Sequence, residues 1–214
     1  MDKPITIYGA PGFGSVPVEA AMTLIGLPYE VIDVGEDEIN AGVRGLNPIR
    51  QVPTLVLPGG EVMTESAAML IWLADRYPEA HLAPDPLSRK RPAFLRWMTF
   101  VAAGIYALSW ARDDPERLVT AKTQHAVLRE RVADRRIECW QAMNAQVHPG
   151  RYILGEDLSV LDLYVAVISR WSPRRKRFYA AAPKLADVVR RVDAEPRLAD
   201  VWAKRFPFVE GWDG

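Results

Sequence analysis

ITIYGAPGFGSVPVEAAMTLIGLPYEVIDV, residues 5–34, changes grammar twice within one short stretch. ITIY (5–8) is β-branched and aromatic, and the glycine- and proline-rich GAPGFG (9–14) that follows suits a strand running into a tight loop. From Ser15 to Leu27 the apolar residues Val18, Ala21, Met22 and Ile25 recur at helical spacing, with Gly26 as the stop. YEVIDV (29–34) then reads as a second strand. Strand, helix and strand in so short a span make a βαβ unit, whose parallel pairing demands a right-handed crossover. Further along, TLVL (54–57), a PGG turn at 58–60 and EVMT (61–64) spell a β-hairpin, followed by a helix from Ser66 to Tyr77 with Ala67, Leu70, Ile71 and Leu73 as its apolar positions. The predicted order is β-α-β, a short helix, then β-β-α: an α/β domain over residues 1–80.

Beyond it the strand grammar stops. Residues 81–92, containing LAPDPLSRKRP, read as a linker. Residues 93–111, 116–147, 160–172 and 183–194 read as helices, so 93–214 is expected to be an all-α domain. Lys plus Arg and Asp plus Glu both number 27, which leaves no global field to attract nucleic acid or an anionic membrane. The basic run RWSPRRKRF (170–178) reads as a solvated loop. One cysteine, Cys139, excludes an internal disulfide, a CxxC pair and a cysteine-based zinc site within one chain, and it reads as a small hydrophobe within its helix. His81, His125 and His148 lack metal-ligand spacing, and no metal or cofactor is expected. No run approaches the roughly 18 apolar residues of a membrane span, and the N-terminus lacks a signal-type apolar region; a cytoplasmic protein is expected.

A β-α-β-β-β-α core has one natural ligand position, the groove beyond the carboxyl ends of its parallel strands. Three groups meet there. Ser15, at the mouth of the first helix, can cap that helix or donate to an anion. Val52–Pro53 opens a strand; proline lacks the N–H of a central ladder, so it is either an ordinary strand-start residue or a cis turn that presents the Val52 backbone to an extended ligand. Glu65–Ser66 opens a helix, and the pair can serve as simple first-turn residues or hold the two charges of a small zwitterion.

The order and spacing of these groups resemble the cytosolic glutathione transferase family, bacterial type. The resemblance is carried by IYGAPGFGSVPVEAAMTLIGLPYEVIDV (7–34), NPIRQVPTLVL (47–57), EVMTESAAMLIWLADRYP (61–78) and LGEDLSVLDLYVAVI (154–168). It implies a thioredoxin-like N-terminal domain followed by an all-helical C-terminal domain, and a homodimeric detoxification enzyme that adds the glutathione thiolate to a hydrophobic electrophile. By resemblance Pro53 is cis, Val52 holds the cysteinyl backbone of glutathione with Gln51 assisting, and Glu65 and Ser66 take the γ-glutamyl end. Ser15 falls near the catalytic serine or cysteine of the family. The cysteine of relatives with "PGACS" aligns with Gly14, which argues against disulfide chemistry and leaves Ser15 as the polar group, with Tyr8 as rival and backbone N–H groups as a third means of favouring the thiolate. Phe13, Tyr106 and Trp110 are expected to line the electrophile site, while Trp97 and Phe100, on the same helix, fit a core equally well. Ser159 and Asp162 form an S-x-x-D capping box, a folding device. A noncatalytic glutathione-binding or protein-interaction module on the same fold is the alternative reading.

Overall fold

The computed structural model describes residues 4–35 and 43–213. Strand β1 (Ile5–Gly9) buries Ile5 and Ile7 on one face and leaves Thr6 and Tyr8 half-buried on the other, as the two-residue period of a strand requires. It pairs in parallel with β2 (Tyr29–Asp33), Ile5 lying opposite Tyr29 and Gly9 opposite Asp33. Helix α1 (Val16–Ile25) makes the crossover and ends at Gly26, whose φ of 80° is a left-handed conformation that glycine adopts without steric cost. β3 (Thr54–Val56) runs antiparallel to β1 on its other side, and β4 (Val62–Met63) closes the hairpin, giving the order β2-β1-β3-β4. The short helix expected between β2 and the hairpin falls on a stretch that includes residues 36–42, outside the described residues.

Helix α2 (Ser66–Arg76) packs with α1 against the sheet, burying Met69, Leu70 and Leu73 with Val18, Ala21, Met22, Ile7 and Leu55. The fold is thus a thioredoxin-like N-terminal part followed by a helical C-terminal part. Residues 82–91 are tied down at both ends: the Leu82 carbonyl accepts from Val160 N–H at 2.8 Å. Buried Arg91 makes two hydrogen bonds to Asp75, at 2.7 and 2.6 Å, and one to the Pro84 carbonyl.

The helical part is organised by α6 (Val160–Ile168), every residue of which is buried. The Ser159–Asp162 box starts it. The Asp162 carboxylate accepts from Ser159 N–H and Ser159 Oγ at 2.8 and 2.7 Å, and from Ile153 N–H at 2.8 Å. The helix expected over 93–111 is divided into α3 (Arg91–Phe100), a π-helical turn (Val101–Tyr106) and α4 (Leu108–Asp113). α5 (His125–Gln146) starts later than the expected position 116, because Pro115–Arg117 and Lys122–Gln124 are single 3₁₀ turns separated by the extended Ala121. That detour packs α5 against α4.

The basic run is not a solvated loop. It contains helix α7 (Arg174–Ala181), and Arg175 is fully buried. Its guanidinium meets Asp193 at 2.9 and 3.1 Å and the Ala166 carbonyl at 2.7 Å, which is how a charge is accommodated in a core. α8 (Pro183–Asp193) follows, and α9 (Ala199–Arg205) returns to the first domain. There Arg205 pairs with Asp33 and Glu19, both at 2.6 Å.

Candidate active site

Between the strand β3 approach, the start of α2 and the α3–α4 wall lies a cleft of about 760 Å³. Gln51, Val52, Pro53, Glu65 and Ser66 line one wall, and Tyr106 and Trp110 the other, with Phe13 at the loop. Eight residues singled out from the sequence, separated by up to half the chain, therefore face one space.

The first wall is made of backbone. Asn47 pins its loop, Nδ2 donating to the Gln51 carbonyl at 2.9 Å while Oδ1 accepts from Ile49 N–H at 3.2 Å. Thr54 Oγ1 also donates to the Gln51 carbonyl, at 3.1 Å. The Val52–Pro53 peptide bond is cis. Among the described residues nothing pairs with the N–H or C=O of Val52, so both remain available to an extended ligand. Glu65 sits at φ 66°, a left-handed conformation that costs a side-chain-bearing residue about 1 kcal/mol or more. Among the described residues no side chain caps α2 behind it, and the first N–H groups of that helix are open to a carboxylate.

Ser66 is buried, and its hydroxyl lies 3.1 Å from the Tyr164 hydroxyl of α6, so the two domains meet at the α2 terminus. One hydroxyl of this pair donates to the other, which leaves the second proton free to point at a ligand. Burial pushes the Tyr164 phenol well above its ordinary range, so it stays protonated.

The second wall depends on the π turn. Gly104 and Ile105 offer carbonyls to side chains of α5: Cys139 Sγ donates to Gly104 at 3.4 Å and Arg136 Nε to Ile105 at 3.3 Å. Arg136 also donates to the Ser172 carbonyl at 2.8 Å and to Ser109 Oγ. Burial pulls Arg136 down to about 10, which still leaves it charged at neutral pH. The turn presents Tyr106, whose ring meets Trp171 edge-on at 4.8 Å and Tyr164 at 6.2 Å. Trp171 in turn donates from Nε1 to the Gly12 carbonyl at 2.7 Å, and Gly12 N–H donates to the Arg205 carbonyl at 2.7 Å. The glycine loop is thereby held to the helical part.

Ser15 and Tyr8, the residues expected to act on the thiol, do not line this cleft. Ser15 is fully buried, packed against Gly9, with Oγ donating toward the Ala10 carbonyl at 3.4 Å. Its hydroxyl is thus spent on its own loop and does not reach the cleft. Tyr8 lies mid-sheet between Ile32 and Thr54. Sequence reasoning missed Tyr164, Asn47 and Arg136. Tyr164 left one signal, a polar tip in the helical run VLDLYVAVI, whose only other polar residue is the capping Asp162; Arg136 acts through tertiary contacts that no local pattern records, whereas Asn47 bonds within its own loop, where the Asn-Pro pair at 47–48 is the local signal. Among the described residues no cluster of His, Cys, Asp and Glu is arranged to hold a metal ion, and no helix is long and apolar enough to cross a membrane.

Comparison with known proteins points the same way as the geometry. The family model for the glutathione S-transferase N-terminal domain matches residues 15–76. The chain is 33% identical over 201 residues to the uncharacterised GST-like protein YncG of Escherichia coli K12, covering 92% of this chain and 96% of YncG. It is 25% identical over 158 residues to glutathione S-transferase GstA of Escherichia coli O157:H7, covering 72% and 74%. Among solved structures, a glutathione transferase homologue from Sulfitobacter with bound glutathione superposes with a TM-score of 0.84 at 26% identity, over 95% of this chain and 99% of that one. With the fold, the cleft and these likenesses agreeing, the chain belongs to the glutathione S-transferase family.

Proposed function

We propose that this protein is a glutathione transferase that joins the glutathione sulfur to a hydrophobic electrophile. The observation that carries the reading is the Val52 backbone, without a partner among the described residues, beside a start of α2 that none of them caps, on one wall of a cleft of about 760 Å³. In this reading Val52 pairs with the cysteinyl N–H and C=O as an added strand would, while Pro53 and Gln51 shape that edge. The γ-glutamyl carboxylate meets the α2 N–H groups and the Ser66–Tyr164 hydroxyl pair, and its ammonium meets Glu65. The thiol proton leaves to solvent and the sulfur lone pair forms the new carbon–sulfur bond; a halogenated aromatic then releases halide with its bonding pair, whereas an α,β-unsaturated carbonyl shifts its π pair to the α carbon, which takes a proton from solvent. Phe13 and Trp110, both about two-fifths exposed, and the Tyr106 ring offer apolar surface to that electrophile. The family assignment also supports a homodimer, and the shallow crevice lined by Leu95, Thr99 and Phe100 on α3 offers an apolar face for it. Detoxification in the cytoplasm is the physiological setting this reading suggests.

The inward turn of Ser15 favours a second reading, a glutathione-binding module without turnover. Calorimetric titration of glutathione into wild type and Ser66→Ala, paired with a screen of halogenated aromatic and α,β-unsaturated carbonyl electrophiles, separates the two. Transferase function predicts binding, turnover, and about tenfold weaker glutathione affinity for Ser66→Ala with kcat largely kept. Binding without turnover favours the module; absence of binding overturns both.

A further inference from the structure

Gly14 stands where the family resemblance puts the cysteine of relatives with "PGACS", and the structure shows what fills the space. A Cβ at residue 14 would collide with the Tyr106 hydroxyl and lie 2.8 Å from its Cζ, closer than real Cβ contacts occur, with Cε1 at a tight 3.1 Å. The phenol of the helical domain therefore occupies the volume that a residue-14 side chain would take. Only glycine admits it.

Three further observations bear on what the hydroxyl does there. Among the described residues no group exchanges a hydrogen bond with it, although the ring is packed against Trp171 and Tyr164 and lines the cleft. The N–H groups of Gly14 and Ser15, at the start of α1, likewise make no hydrogen bond among the described residues. The Tyr106 hydroxyl thus lies against Gly14, next to the start of α1, with the positive end of that helix's dipole close by. Burial, with Glu65 and Asp113 nearby, holds the Tyr106 proton far above its ordinary range, so the phenol acts as a donor rather than a base.

We propose that Tyr106 is the catalytic hydroxyl, donating to the glutathione sulfur from the helical domain, and that Gly14 is the residue that makes room for it. This rests on the glutathione reading above. The thiol proton departs to solvent, Tyr106 keeps its own, and the thiolate is stabilised by the hydrogen bond from the phenol until it attacks.

Tyr106→Phe keeps the ring against Trp171 and removes only the donor. The test follows thiolate absorbance near 240 nm in the glutathione complex across pH, with glutathione affinity and turnover measured on the same samples. Expected are an upward shift of the bound thiol's pKa by about one unit, a roughly tenfold or larger fall in kcat, and glutathione affinity within about threefold of wild type. Gly14→Ala, which crowds the phenol, is expected to produce a similar shift, and the double variant little more than either single one. Ser15→Ala is expected to leave the thiol's pKa in place. If wild type lowers the thiol's pKa and Tyr106→Phe leaves it unchanged, the assignment to Tyr106 is overturned while the glutathione reading stands. If wild type binds no glutathione, the underlying reading fails instead.

Discussion

The two walls of the cleft are built by different means. The wall from the N-terminal domain presents main-chain groups: the Val52 N–H and C=O, and the first N–H groups of α2. Its geometry follows from local devices, a proline before a strand and a helix opening at Glu65, where φ is 66°. The wall from the helical domain presents side chains: Tyr164 from α6, and Tyr106 and Trp110, whose placement depends on a π turn held by Arg136 and Cys139 from another helix. The contrast teaches where tolerance lies. A main-chain site survives side-chain change, whereas a side-chain site fails when a distant support is removed.

The sharpest way to break this contrast is at the support itself. Arg136→Ala strips donors from the Ile105 and Ser172 carbonyls and from Ser109. Unsatisfied buried polar groups cost about 1–3 kcal/mol each, so a loss of about 3 kcal/mol in urea unfolding is expected. Turnover should fall further than glutathione binding, since the first wall is untouched. Equal losses of both would show that the walls are not separable.

A somewhat smaller effect is expected at Asp162. Asn offers one acceptor oxygen where the carboxylate takes three donors, so Asp162→Asn should cost about 2 kcal/mol, read from the thermal or urea midpoint. Burial pushes this carboxyl up to about 6, against about 3.9 for an Asp in the unfolded chain. The folded protein then binds more protons than the unfolded one between those values. Its contribution to stability is fully present below about pH 4 and declines as pH rises through about 6. The variant should lack this slope.

The mildest change is at Trp110, two-fifths exposed on the electrophile side. Trp110→Ala should raise KM for an apolar electrophile several-fold and leave glutathione affinity unaltered, which steady-state kinetics with each substrate varied would measure. A change in glutathione affinity would place Trp110 on the wrong wall.

The same contrast governs how far the sequence could be read. The N-terminal order β-α-β-β-β-α is written in short-range patterns: ITIY and YEVIDV alternate as strands, Gly26 marks a helix end, and PGG marks a hairpin. Val52, Pro53, Glu65 and Ser66 are legible because their roles attach to local backbone features. The helical half hides more. A π turn at Val101–Tyr106 leaves the apolar pattern of a plain helix unbroken, and Arg175 looks solvated until Asp193 and the Ala166 carbonyl are brought to it by folding. Ser15 illustrates the limit most clearly. Its position at a helix mouth suggests a site residue, yet its side chain packs into the space that Gly9 leaves, with its hydroxyl on the Ala10 carbonyl.

The central claim is that the two walls meet at the glutathione sulfur, and a crystal structure of the glutathione complex tests it most directly. Expected is the sulfur within hydrogen-bonding distance of the Tyr106 hydroxyl, with the cysteinyl backbone paired to Val52. A sulfur seated beside Ser15 Oγ or the Tyr8 hydroxyl, with Tyr106 turned away, would contradict it.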